Sequence, residues 1–420
     1  MAIHAVPAGK GSSATIEKCQ VCGNGNLQQV FFLGYMPPVN TMHRIGVTPQ
    51  EQPSYPAGLL FCTTCELVQL GLAIDPRVLF PPDYPYTSGT TRILRENFAD
   101  LHKECCKLLR LEPNDLIIDI GSNDGTLLSN FISHGHRVLG IEPTEVAKLA
   151  LQRGIPTIQR YFQPAISPEI RAEHGPARVV TATNCFAHME NVHAVLDEIL
   201  KLLSNEGVFI SESHYLIGLL DRLQYDTIYH EHLRYYSMNS LKHLLAMHEL
   251  EIFDAHAIPT HGGSIRVYAA RQGVYPVRTR VQEMLAAEPT GGHMLTRLRE
   301  FRQACMVSKL ELLSLLSSVK KKGLRVCGVS APSRASTLIN YVGLDDSIIE
   351  YVVEIKGSLK IGRYMPGTMI PVLDEARMLE DQPEYALILS WHIADELAAK
   401  LRERGYKGQF IVPLSQPRIV

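Results

Sequence analysis

Apolar residues in this chain follow two rhythms, and the places where one gives way to the other mark its elements. In "DLIIDIGSNDGTLLSNFISHG" a continuous apolar run ends at Asp119, a polar and glycine-rich turn runs from Gly121 to Gly125, and leucine and phenylalanine then recur at helical spacing. A short apolar run bounded by turn residues predicts a buried strand, and a 3.6-residue repeat predicts a helix. "RVLGIEP" is the next strand, closing on Glu142, so the segment reads as a βαβ unit. "ARVVTATNCFAHMENVHAVLDEILKLLSNEGVFISES" repeats the scheme: a strand ending near Thr183, a polar loop, an amphipathic helix, another strand. "LEIFDAHAIPTHGGSIRVYAA" adds two antiparallel strands, with His261 to Ser264 in the turn, where Gly262 and Gly263 point to backbone geometry. A long helix is predicted around Val281–Lys320. After it "LRVCGVSA" is a strand, "PSRAS" a loop and "TLINYVG" a helix, and "IIEYVVEI", "YALILS" and "GQFIVPL" are strands.

Strands alternating with helices predict an α/β fold. Domains usually run to about 100–200 residues, so 420 residues imply two or three, and the division expected here is 15–75, 76–275 and 276–420. Composition narrows the class by exclusion. With 45% apolar and 20% charged residues and a formal charge of −2, nothing provides a basic footprint for nucleic acid. The opening "MAIHAVPAGKGSSATIEK" lacks the apolar run of a secretory signal, and no later run approaches the roughly 20 residues of a membrane span. The expectation is a cytoplasmic chain with no membrane partner.

Nine cysteines are too few and too unevenly placed for a disulfide scaffold. Four form two pairs, Cys19 and Cys22 in "CQVC" and Cys62 and Cys65 in "CTTC". Each pair presents two thiolates from one knuckle, and two knuckles complete a closed tetrahedral site for structural zinc. A redox role is the alternative, against which neither pair sits at a strand-to-helix junction. Cys105, Cys106, Cys185, Cys305 and Cys327 read as buried apolar residues.

The first glycine turn bears on the cofactor. The dinucleotide pattern G-x-G-x-x-G fails because Asn123 stands where its second glycine belongs, which disfavours NAD. A nucleoside without a diphosphate linker, such as S-adenosylmethionine (SAM), can pass over the loop. Candidate contacts are Asp119, Gly121, Ser122, Asn123 and Gly125, with Glu142 at the second strand's end to accept the ribose hydroxyls. A strand–turn–helix with no ligand is the alternative. Asn184 and His188 follow the strand ending near Thr183, where ligands of such sheets bind, although Asn184 could instead cap a helix.

The stretch "YDTIYHEHLRYYS" crowds Tyr225, Asp226, Tyr229, His230, Glu231, His232, Tyr235 and Tyr236 together. A metal-binding His230/His232 pair, a general base with helpers, and ordinary packing all compete for it. In the C-terminal third, "PSRAS" offers Arg334 and Ser336 beside a helix start, a candidate diphosphate site or a plain helix start.

Taken in order, "CQVCG", "CTTCELVQL", "PYTSGTT", "DIGSNDGTLL", "NCFAHMENV", "YHEHLRYYS", "HGGSIRVY" and "YMPGTMIPV" resemble the zinc-containing, SAM-dependent sugar C-methyltransferases of the nucleotide-sugar C-3'-methyltransferase kind. The resemblance spans nearly the whole chain. It implies a class I SAM-dependent methyltransferase (Rossmann-like) domain flanked by an N-terminal zinc-binding module and a C-terminal Rossmann-like domain. It further implies methylation of the carbon beside the ketone of a 4-keto-6-deoxy sugar on a dTDP or GDP carrier, by a monomer or dimer. His232 would be the base, Tyr229 and Glu231 its helpers, and His188 would lie by the sugar. Ser88 would join the cofactor contacts, and Tyr84, Tyr86 and Tyr364 the substrate contacts. The chain departs from its family at residues 331–336, Ala-Pro-Ser-Arg-Ala-Ser where relatives carry Ala-Pro-Ala-Lys-Gly-Asn, and at Trp391-His392 where Trp-Asn is usual. These changes bear on nucleotide recognition. C-methylation of another keto compound, or a SAM- or nucleotide-binding scaffold without catalysis, are the competing functions.

Overall fold

The computed structural model describes residues 7–8, 13–47, 51–80 and 87–420. Near the N-terminus β1 (Leu27–Met36), β2 (Tyr55–Cys62) and β3 (Val68–Leu70) pair antiparallel, and the two-residue strand Arg234–Tyr235 adds a fourth member beside β3. That last strand belongs to the "YHEH" stretch, so one hydrogen-bonded ladder joins the cysteine module to the loop bearing His232. Residues of β2 alternate between buried and half-buried, the period of a strand with one face on a core. That core is shared with the C-terminal part: Phe31 packs edge-on against Phe301 and Tyr341.

A seven-stranded sheet follows α1 (Arg92–Leu109). Its members are β4 (Leu116–Ile120), β5 (Arg137–Ile141), β6 (Thr157–Ile158), β7 (Ala177–Thr183), β8 (Leu203–His214), β9 (Leu250–Ile258) and β10 (Ser264–Arg271). They lie in the order β9-β10-β8-β7-β4-β5-β6, parallel except for β10. Helices such as α2 (Thr126–Ile132) and α3 (Val192–Leu202) flank the sheet. All of β4 is buried, as expected of a strand covered on both faces. The order reverses between β4 and β7, and a crevice opens at the carboxyl ends of strands at such a switch point.

The single long helix expected around Val281–Lys320 is two helices, α4 (Thr279–Ala287) and α5 (Gly291–Lys320). Pro289 disfavours helical backbone at Glu288, which turns extended. The Glu288 carboxylate then accepts the backbone N–H of Met238 (2.6 Å) and Asn239 (3.0 Å), satisfying the start of the helix Met238–Ala246.

Beyond α5 a second sheet contains β11 (Val326–Val329), β12 (Val352–Glu354), β13 (Val372–Asp374), β14 (Tyr385–Ile388), β15 (Gln409–Val412) and β16 (Arg418–Ile419). Its order is β13-β12-β11-β14-β15-β16, parallel except for the last. The "PSRAS" loop is not a loop. Helix α6 (Ser333–Val342) begins directly after Pro332, which places Arg334 and Ser336 on its first turns. The α/β class with a methyltransferase-type sheet agrees with the sequence reading. Among the described residues no helix is long and apolar enough to cross a membrane.

Candidate active site

The four knuckle cysteines converge. Sγ of Cys19 lies 3.4 Å from that of Cys65, Cys22 lies 3.4 Å from Cys62, and all four sulfurs fall within 4.8 Å of one another. Tight turns aim them: Gly23 N–H donates to the Cys19 carbonyl and Glu66 N–H to that of Cys62, each at 2.9 Å. A hydrogen bond from the Cys65 thiol pulls the Cys19 pKa down to about 5, so a thiolate is favoured there. Four soft donors, with no fifth ligand in the cluster among the described residues, fit a closed, structural zinc site. Between the knuckle cysteines, Gln20 donates through Nε2 to the carbonyl of Leu233 (3.4 Å) and accepts from Arg234, one and two residues beyond His232.

A cavity of about 760 Å³ lies where the carboxyl ends of both parallel sheets face each other. On the first sheet's side Gly121 takes φ +71°, and a Cβ there would meet Cys185 at 3.0 Å. Gly125 has φ +75°, and a Cβ would come within 2.6 Å of Ile155. Both glycines let the turn lie low under a ligand. Glu142 is locked in place, accepting Asn123 N–H (3.0 Å), Thr144 N–H (2.9 Å) and the Thr144 hydroxyl (2.7 Å). Ser88 N–H binds the Asn123 side chain at 2.7 Å. Asn184, in left-handed backbone at φ +58°, lines the cavity with a buried Oδ1 that has no partner among the described residues. It caps no helix; Asn191 caps α3. An orphaned acceptor facing the switch point, a low glycine turn and a fixed carboxylate at the second strand's end fit the polar groups of SAM.

Other cofactor candidates stand behind the wall. Asp119 accepts the Thr181 hydroxyl at 2.6 Å, and burial pushes its pKa up to about 7. Ser122 is buried, and Gly125 begins α2. Cys185 is half-buried against the cavity and Cys106 half-buried on α1, not core residues as expected, whereas Cys105, Cys305 and Cys327 are buried.

The "YHEH" stretch is a turn, not a strand, and Tyr225 to Ser237 are all buried. The turn sends its histidines apart. His230 Nε2 faces the carbonyl of Pro56 (3.3 Å), while His232 lines the cavity, so the two make no ligand pair. His232 Nδ1 lies 2.7 Å from the carbonyl oxygen of Thr227. A carbonyl only accepts, so Nδ1 carries the proton and Nε2 the free lone pair. Desolvation pushes the His232 pKa down to about 4, leaving the ring neutral at pH 7. The ring of Tyr229 is 4.1 Å away, that of His214 4.8 Å and that of His188 5.0 Å, all centroid to centroid. Glu231 accepts from Asn40 at 2.7 Å, and Asn40 accepts from Ser333 at 3.1 Å, which links three parts of the chain. Lys360, whose pKa burial lowers, lines the same region and donates to the carbonyl of Ala331 at 2.6 Å.

Of the substrate candidates, Arg334 lines the cavity, yet its guanidinium is bound by Asp226, Gln224 and the His261 carbonyl. Ser336 is buried one turn below, off the wall. Tyr364 lies away from the cavity, its hydroxyl accepting Gly46 N–H at 3.3 Å. Tyr84 and Tyr86 lie outside the described residues.

Cavity residues that the sequence reading missed are His214, His261 and Lys360. His214 ends β8, a carboxyl-end position that could have flagged it. His261 sits in left-handed backbone at φ +54° with a buried Nε2 that has no partner among the described residues. Its neighbouring glycines drew the reading towards the backbone and away from the imidazole.

Family models match consecutive parts of the chain: a zinc binding domain over residues 19–80, a methyltransferase domain over 91–254 and a C-methyltransferase C-terminal domain over 259–415. The C-methyltransferase NovU of Streptomyces niveus is 34% identical over 411 residues, covering 96% of this chain and 97% of its own length. Solved structures align with under half of the chain. The plantazolicin methyltransferase BpumL in complex with SAH covers 47% of this chain and 93% of its own at 15% identity and TM-score 0.37. A S-adenosylmethionine-dependent methyltransferase from Clostridium acetobutylicum ATCC 824 covers 44% and 94% at 11% identity and TM-score 0.34. Likeness to one C-methyltransferase from end to end, with the zinc-binding, methyltransferase and C-terminal parts in sequence, places this chain in the C-methyltransferase family, as an enzyme that uses SAM and carries structural zinc.

Proposed function

We propose that the enzyme methylates C-3, the carbon beside the ketone, of a nucleotide-linked 4-keto-6-deoxy sugar, with His232 as the general base. The observation that carries this reading is the hydrogen bond from His232 Nδ1 to the Thr227 carbonyl. It fixes the tautomer that leaves a basic Nε2 on a ring lining the cavity. A hydrogen beside a ketone is acidic enough for a positioned imidazole to remove it, and the resulting enolate is the carbon nucleophile. Bound SAM supplies the electrophilic methyl group. Tyr229 and Glu231 orient the base or the keto oxygen, and His188 lies beside the sugar. Burial of the cluster excludes water, so a donor near the keto oxygen has more effect on the enolate than it would in solution. The cofactor half is formed by Gly121, Asn123, Glu142 and Asn184, with Ser88 over the turn. On this reading residues 15–75 are the zinc module, 76–275 hold SAM, and 276–420 hold the nucleotide in a cytoplasmic enzyme.

The sugar assignment is supported by the motif series from "PYTSGTT" to "YMPGTMIPV". C-methylation of another keto compound is favoured by one observation: Arg334 is engaged by Asp226 and so has less to offer a diphosphate. Incubating the enzyme with SAM and a panel of nucleotide-linked 4-keto-6-deoxy sugars alongside keto compounds without a nucleotide separates the two. A product methylated at C-3, located by NMR, supports the sugar reading; turnover only of keto compounds without a nucleotide overturns it.

A further inference from the structure

Away from the active-site cavity, three metal-ligating side chains converge where α1 packs beside α2 and β5. His102 and Cys106 are four residues apart on α1 and so share a face. His136 comes from the turn between α2 and β5. His102 Nε2 is 3.4 Å from Cys106 Sγ, and one ligand atom from each of the three residues lies within 4.8 Å of the others. A tetrahedral zinc holds its donors about 3.5 Å apart, given Zn–N near 2.0–2.1 Å and Zn–S near 2.3 Å. One edge of the set already has that length. A rotation at half-buried Cys106 can shorten its distance to His136.

Hydrogen bonds around the cluster point the same way. His136 Nδ1 lies 3.1 Å from the carbonyl of Glu112, so it is the protonated nitrogen and Nε2 keeps the lone pair. Neighbouring His134 repeats the arrangement, with Nδ1 2.8 Å from the Asn130 carbonyl and its ring 4.3 Å from that of His102. A backbone carbonyl behind the non-ligating nitrogen is what orients metal-bound histidines.

We propose that His102, Cys106 and His136 form a second metal site for zinc or an ion of the same borderline class, its fourth position taken by water. It would be separate from the four-cysteine site. Ile93 and Leu94 at the start of α1 reach the active-site wall. From there His102 lies roughly 12 Å along the helix axis, so the ion would clamp α1 to the turn between α2 and β5 and take no part in methyl transfer.

Full-length protein is equilibrated with Zn²⁺, freed of loose ion by gel filtration and measured by elemental analysis. Two zincs per chain are expected, falling to one in Cys106→Ser and in His136→Gln. One zinc per chain in the wild type overturns the proposal whatever the variants do, and so do two zincs retained in Cys106→Ser/His136→Gln. Thermal melting guards against misfolding: added zinc should raise the Tm of the wild type and not that of Cys106→Ser, and an equal rise in both would contradict the site.

Discussion

Asp226 and Arg334 form a buried two-pronged ion pair, Nε to Oδ2 at 2.7 Å and Nη2 to Oδ1 at 2.8 Å, joining the stretch that carries His232 to the first turn of α6. Trp391 adds an indole N–H to Oδ2 at 2.7 Å and lays its ring 4.9 Å from the guanidinium. An arginine that looks in sequence like a phosphate clamp therefore fixes the floor beneath His232.

Removing one partner of such a pair strands a buried charge, at a cost of about 3–5 kcal/mol. Arg334→Ala should lose that much stability in urea unfolding, and Arg334→Ala/Asp226→Asn should recover part of it. Equal losses in the single and double variants would show that the two residues are not coupled.

Acid should unfold the protein early. Burial lowers the pKa of His188, His214, His230, His232, His261 and His392, three of them to about 4. The unfolded chain takes up protons below about 6.5, while the folded chain resists until about 4. Stability is thus present above pH 6.5 and is lost as pH falls through that window, by up to ~1.4 kcal/mol per pH unit for each imidazole. The urea midpoint should drop between pH 7 and pH 5; a midpoint that holds steady would count against the neutral cluster.

Chelation should act through the fold. A closed four-thiolate zinc stabilises the module, and the module shares a sheet with Arg234–Tyr235. Stripping zinc, or Cys62→Ser, should lower Tm and activity together. Full activity in a protein shown by elemental analysis to hold no zinc would contradict this.

Glu142→Ala should weaken SAM affinity by roughly 1–3 kcal/mol through loss of a charged hydrogen-bond acceptor. Calorimetry would read this directly. Unchanged affinity in a folded variant would move the ribose contact elsewhere.

How much of this was legible in sequence followed the range of the interaction. Local patterning located β4, the glycine turn and β5, because apolar runs and turn residues act over a few positions. The knuckle cysteines were legible because a tetrahedral site imposes its own spacing. The expectation of one helix ran across Pro289, Thr290, Gly291 and Gly292, a breaker run whose proline also restricts the residue before it. His214 and His261 come together with His232 only through the pairing of β8 with β10, a long-range relationship that no short motif carries. The role of Arg334 hangs on Asp226, more than a hundred positions away.

The central claim is that His232 removes the proton, and solvent deuterium exchange tests it. Wild-type enzyme holding S-adenosylhomocysteine in place of SAM should exchange the C-3 hydrogen of an accepted 4-keto sugar, since deprotonation needs no methyl donor. His232→Asn should keep its Tm and SAM affinity while exchange and methylation both fall by about 10²–10⁴-fold, the usual worth of a general base. Tyr229→Phe and Glu231→Gln should lose less. A folded His232→Asn enzyme that exchanges and methylates at near wild-type rates would contradict the account and pass the role to another cavity histidine, His188 first.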